Sequence, residues 1–143
     1  MTLSQTLVFL QFLSLGLLAL PYQSEFISAY PLIISFTTAG ALALWIFTHN
    51  KIGNFNIVPE IRHNCTLITS GPYRYVRHPM YSSVILLGMG LLSWFAIWKI
   101  YVFLFLIVVL HVKASREEKL WCIKDKKYVN YKKHTKMFIP FIL

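Results

Sequence analysis

Long apolar runs alternate with two polar blocks along this chain. Residues 2–20 are nearly uncharged and about as long as a bilayer crossing needs, roughly 20 residues of helix. They predict a first transmembrane helix, ended by Pro21. A link over 22–30 carries Glu25 as its only charge, and Pro31 then opens a second span over 31–47, where Ala39, Gly40, Ala41 and Ala43 would let another helix approach closely. Residues 80–98 predict a third span, with Gly88 and Gly90 in its middle and Trp94 and Trp98 at its far end; Lys99 reads as a tight turn. The apolar stretch 100–112 is short for a crossing and reads as the second arm of a hairpin with the third span. The expected fold is all-α, a single polytopic membrane domain of about four transmembrane helices, with two N-terminal spans in 1–47 and a core in 48–143.

Composition strengthens that picture. At 143 residues, 57% hydrophobic and 13% charged, the chain is too apolar for a soluble domain of its size. Residues 7–20 share the apolar core of a signal peptide, but no basic segment precedes them and no small-x-small cleavage site precedes Pro21, so a retained helix is expected. Cys65 and Cys122 are too few for a disulfide framework or a zinc quartet and are expected as free thiols.

Charge orients the spans. The formal net charge is +9, from 14 Lys and Arg against 5 Asp and Glu. The basic residues lie beside apolar runs, which points to an anionic membrane face or an anionic ligand and away from nucleic acid. Nearly all of them fall in the two polar blocks, 48–79 and 113–136; the other two loops share Lys99 alone. The positive-inside rule puts both blocks, and with them both termini, on the cytoplasmic side. The first block is long for a connector, and its apolar members Ile52, Phe55, Ile57, Val58, Ile61, Leu67 and Ile68 predict that it folds back onto the membrane domain. The tail 137–143, with Pro140, would dip back to the surface.

Within the first block, 71–81 concentrates two arginines, a histidine, three tyrosines and two prolines. Pro72 and Pro79 predict a stiff elbow, with Arg77 and His78 just outside the first turn of the next helix. The hairpin would bring Glu117 and Glu118 to the same face as Arg77, His78 and Tyr81. Adjacent helical residues diverge by about a hundred degrees, so one glutamate would face the elbow while the other meets solvent or, for Glu117, Lys113 at i−4. Cation, imidazole, phenol and carboxylate together suit a zwitterion. A juxtamembrane anchor with salt bridges at a helix end accounts for the same residues more plainly. His49, His63, His111 and His134 are scattered and read as interfacial or solvated residues.

The string Arg77-His78-Pro79-Met80-Tyr81, preceded by Gly71-Pro72-Tyr73-Arg74 and followed by Arg116-Glu117-Glu118 and the tail elements Tyr128, Tyr131, Thr135 and Phe138-Ile139-Pro140, resembles the isoprenylcysteine carboxyl methyltransferase family, related to the phospholipid methyltransferases. The resemblance covers about residues 60–142. It implies a helical membrane enzyme that binds S-adenosylmethionine in a cytosolic pocket and methylates a lipophilic or prenylated acceptor drawn from the membrane lipids, a carboxylate before a phospholipid amine. It also implies that His78, Tyr81, Arg77, Glu117, Glu118 and Tyr73 bind the cofactor, that Arg77 and Glu118 serve catalysis, and that 65–70 offers backbone to the adenosine. Tyr73 shares an anchoring position with Arg74 and Tyr75. Ser83 stands where many relatives have glycine. Thr135-Lys136-Met137 stands where Thr-Pro-Arg is frequent, so that Lys136 or Lys133 would have to replace a cation on the substrate side.

Two further classes fit parts of the pattern. Membrane sterol reductases share a related Arg-His-Pro motif and bind NADPH, on longer chains. A non-enzymatic four-helix protein with a basic, lipid-binding face explains the lysines of the second block, but not the coincidence of Arg77, His78 and the paired glutamates.

Overall fold

Thr2 starts the first helix with a reciprocal cap: its hydroxyl accepts the Gln5 N–H at 3.3 Å, and Gln5 Oε1 accepts the Thr2 N–H at 3.0 Å. The computed structural model describes residues 2–21, 29–50, 54, 56–60, 65–93 and 96–141. They form α1 (Leu3–Ala19), α2 (Ala29–His49), a 3₁₀ turn (Gly71–Arg74), α3 (Pro79–Leu91), α4 (Ile97–Lys124) and α5 (Lys126–His134). The all-α expectation holds among the described residues.

The expectation of about four spans needs correction. Among the described residues, only α2, of 21 residues, and α4, of 28, are long and apolar enough to cross a bilayer. Helix α1 has 17 residues and α3 only 13, roughly 20 Å at 1.5 Å per residue against a hydrocarbon core of about 30 Å. Helix α3 ends early because Leu92 and Ser93 turn back on Met89 and Gly90. The chain restarts at Ile97, which transfers Trp98 and Lys99 to α4; Trp94 lies outside the described residues. Lys99 is therefore a helix residue and not a turn. It is buried, and its Nζ donates to the carbonyls of Leu18 and Leu20 at 2.9 and 2.8 Å, satisfying the C-terminal end of α1. Nor does α4 end near Val112: alanine, lysine, arginine and glutamate are good helix formers, and the helix runs on through Glu117 and Glu118 to Lys124.

Packing joins α1 to α4 and α2 to α3 more than it joins α3 to α4, so the expected hairpin is held largely through other helices. Buried Ser4, Leu7, Gln11, Ser14 and Leu18 recur at three- and four-residue spacing, the buried stripe of α1. The core gathers Leu18, Leu91, Leu106, Leu110, Ala114 and Phe138. Close approach of α2 occurs at Gly90, where an added Cβ would lie 2.6 Å from Ser35 Cβ; Gly40, expected to serve that purpose, has no neighbour in reach. Ile33, Ile34, Phe36, Leu44 and Phe47 of α2 stay exposed, an apolar surface suited to lipid.

The start of the tail packs inward, while Ile139, Pro140 and Phe141 stay exposed. Its Phe138 is buried in the core, and Ser82 Oγ donates to the Phe138 carbonyl at 2.6 Å. Val76 and Lys136 form a parallel bridge, with Arg77 N–H donating to Lys136 O at 2.8 Å and His78 N–H to Met137 O at 3.1 Å. Of the long first block, Pro59, Pro72 and Val76 are buried, as a segment folded back on the helices requires; Ile52, Phe55 and Ile61 lie outside the described residues.

Gly71 adopts φ +58°, and a Cβ there would sit 2.5 Å from the His49 ring. Gly71→Ala is expected to cost about 2 kcal/mol, from the left-handed backbone and the overlap together, seen as a lower thermal unfolding midpoint in detergent. An unchanged midpoint would show that this turn carries no such constraint.

Candidate cofactor and acceptor cavity

Proline at the first position of α3 leaves His78 as the residue before the helix, and the pairing of 76–78 with the tail holds its backbone. The buried imidazole lies between the two glutamates: Nδ1 is 3.4 Å from Glu117 Oε2 and Nε2 is 3.4 Å from Glu118 Oε1. Nε2 has no partner within hydrogen-bond geometry among the described residues. Burial alone lowers the His78 pKa, but contacts with Glu117 and Glu118 outweigh it, and the net direction is upward. The ring stacks on Tyr81, centroids 5.5 Å apart.

The two glutamates face different surroundings. Glu118 is buried; its Oε1 accepts from Arg77 Nε at 2.6 Å, and its Oε2 pairs with Lys132 Nζ at 2.6 Å. Arg77 spends its Nη1 on the carbonyls of Lys132 and Thr135, capping the C-terminal end of α5. Glu117 is half-buried, and its Oε1 accepts from Tyr81 Oη at 2.5 Å. The expected contact of Glu117 with Lys113 does not form. Lys113 Nζ instead donates to Gln11 Oε1 at 2.5 Å and to Ile57 O at 3.2 Å.

Glu117, His78, Tyr81, Tyr73 and Arg77 line a cavity of about 750 Å³, within the size range of small-molecule sites. Glu118 is not among its lining residues. Tyr73 accepts from Asn50 Nδ2 at 2.9 Å, and burial pushes its pKa up to about 12 despite that bond, with the Glu117 charge adding to the rise. Tyr131 donates to Tyr73 O at 2.5 Å, tying α5 to the elbow; burial raises its pKa. Cys65 and residues 66–68 also border the cavity. Lys133 and Lys136 do not: they border a smaller cleft of about 350 Å³ that also touches Arg77.

Residue order alone did not signal several wall residues: Gln11, Phe12 and Leu15 of α1 reach the cavity, as do Asn50 and Trp121, while Lys113 and Tyr128, noted in the sequence without a place in the site, border it too. Gln11 offered the one usable signal, a polar residue within an apolar run and on the stripe facing α4. No group of three or more metal-ligating side chains occurs among the described residues.

A family model described as phospholipid methyltransferase matches residues 30–124. The chain belongs to the phospholipid methyltransferase family. That family includes isoprenylcysteine carboxyl methyltransferase-like members, so the resemblance carried by 71–81 and 116–118 falls inside it. The matched segment differs from the expected one: it takes in α2 and stops before α5 and the tail. No curated protein matches the chain. Family membership indicates a methyltransferase, and together with the two long apolar helices it points to a membrane protein.

Proposed function

We propose that this protein transfers a methyl group from S-adenosylmethionine to a lipophilic acceptor, with a carboxylate favoured over a phospholipid amine. One observation carries the reading: Glu117, His78 and Tyr81, all three within the family-matched segment, meet on the wall of a cavity of about 750 Å³. A half-buried carboxylate on the cavity wall suits the ammonium of the cofactor's amino acid end, and we assign the cofactor's carboxylate to the neighbourhood of His78 and Tyr81, whose hydroxyl donates to Glu117. Asn50 Oδ1, buried with no partner among the described residues, fits a donor on the same ligand. When bound, the cofactor supplies an electrophilic sulfonium methyl.

The chain's own task is then alignment and exclusion of water. Arg77 and Glu118, expected from the resemblance to serve catalysis, we assign to positioning: their pair fixes α4 against the elbow and α5, which sets where Glu117 and His78 point. A carboxylate acceptor arrives already ionised and needs no base, whereas an amine must first lose a proton. We place both polar blocks and the cavity mouth on the cytoplasmic side, with α1 and α3 entering the bilayer beside α2 and α4 and the acceptor arriving from lipid. The concentration of Lys and Arg in those blocks supports this orientation.

Equilibrium binding to the purified protein in detergent tests the reading against the reductase alternative. S-adenosylmethionine is expected to bind and NADPH not to. NADPH binding alone would reverse the assignment, and binding of neither would favour a lipid-binding scaffold.

A further inference from the structure

Lys113 lies one helical turn before Glu117 on α4 and borders the same cavity. Its side chain is 1% exposed. A buried ammonium is tolerated when it is paired or fully hydrogen-bonded, and the direct contacts of this one are neutral: Gln11 Oε1, Ile57 O, and the Tyr81 ring with its centroid 5.2 Å away, with the Glu117 charge acting on it only at longer range. Of its three donors these bonds use two. Among the described residues no carboxylate lies within ion-pair distance of it; Glu117, one turn on, pairs with His78 and Tyr81 instead. Apolar residues line the same cavity, among them Phe12 and Leu15 from α1 and Met80 and Val84 from α3.

We infer that Lys113, steadied by Gln11, is the specificity-determining residue that receives the anionic head of the lipophilic acceptor. The inference rests on the reading of this cavity as a shared donor and acceptor site. Three observations support it. With Glu117, His78 and Tyr81 assigned to the cofactor's amino acid end, and Arg77 held by Glu118 and the carbonyls of Lys132 and Thr135, Lys113 is the lining cation among the described residues that has no carboxylate within ion-pair distance. Lys133 and Lys136, the residues expected to supply a substrate-side cation, border a different cleft. And Gln11, Phe12 and Leu15 belong to a helix outside the matched segment 30–124, so part of the wall comes from a stretch of the chain that the family match does not include. A carboxylate brings the opposite charge to Lys113, whereas a protonated amine meets repulsion.

The test uses palmitate and hexadecylamine, with hexadecanol as the neutral reference, in equilibrium binding to the full chain in a neutral detergent. The wild type is expected to bind palmitate at least about tenfold more tightly than hexadecylamine, the size of one hydrogen-bonded charge contact. Lys113→Met should abolish that preference and Lys113→Arg should keep most of it, which separates lost charge from lost packing. Equal affinities in the wild type, or a preference that survives Lys113→Met, would overturn the inference. S-adenosylmethionine binding is measured on the same samples. A loss there on Lys113→Met would move Lys113 to the cofactor's carboxylate and equally overturn it. No cofactor binding by the wild type would sink the methyltransferase reading alone, because the palmitate preference is read without cofactor.

Discussion

Glu118→Ala is expected to destabilise the protein by about 3–5 kcal/mol, the range for removing one partner of a buried ion pair. Glu118 is 2% exposed and Arg77 8%, so the arginine left behind has little water to turn to. Lys132, 47% exposed, can swing outward and contributes little to the loss. His78 would lose one of its two carboxylates. Because Arg77 also caps α5 through the carbonyls of Lys132 and Thr135, the damage should spread to the junction of α5 with the elbow. Thermal unfolding in detergent reads the effect. A paired change, Arg77→Met with Glu118→Met, should recover a substantial part of the stability, since an apolar pair leaves no stranded charge. An unfolding midpoint for Glu118→Ala equal to that of the wild type would show that the network does not hold these elements together.

The parts of this arrangement legible from residue order are those with local causes. Pro72, Pro79 and the dense polar run between them announced the elbow, and the adjacent glutamates announced its partner. Which glutamate turns inward depends on the rotation of α4, and that is set by packing of Leu106, Leu110 and Ala114 against Leu18 and Phe138, far apart in sequence. The start of the tail was misread for the same reason: Phe138 looks like any apolar residue near a terminus until its carbonyl accepts from Ser82 and its neighbours pair with 75–78. Lys99 misled as a turn because a lone charge between apolar runs normally marks a connection, whereas here it lies in α4 and the unsatisfied carbonyls at the end of α1 supply a receptor for it. Lengths misled where apolar composition continued past the turn at 92–93.

The sharpest functional consequence concerns the other glutamate. Glu117→Gln keeps the size of the side chain and an acceptor for the Tyr81 hydroxyl, and the carboxylate is 19% exposed on the cavity side, so the fold should tolerate it with little change in unfolding midpoint. The lost charge should instead weaken S-adenosylmethionine binding by about 10–100-fold, the equivalent of roughly 1.5–3 kcal/mol for a hydrogen bond to a charged group. S-adenosylhomocysteine, which keeps the amino acid end but has no sulfonium, should lose as much. Methylthioadenosine, which has no amino acid end, should be unaffected. If S-adenosylmethionine alone weakened, Glu117 would be facing the sulfonium charge and not the ammonium; if none weakened, the cofactor's amino acid end would have to lie elsewhere in the cavity. The contrast with Glu118 is the discriminating feature: neighbouring carboxylates on one helix, one expected to report through unfolding and the other through ligand binding, because one faces Arg77 and the other faces the cavity.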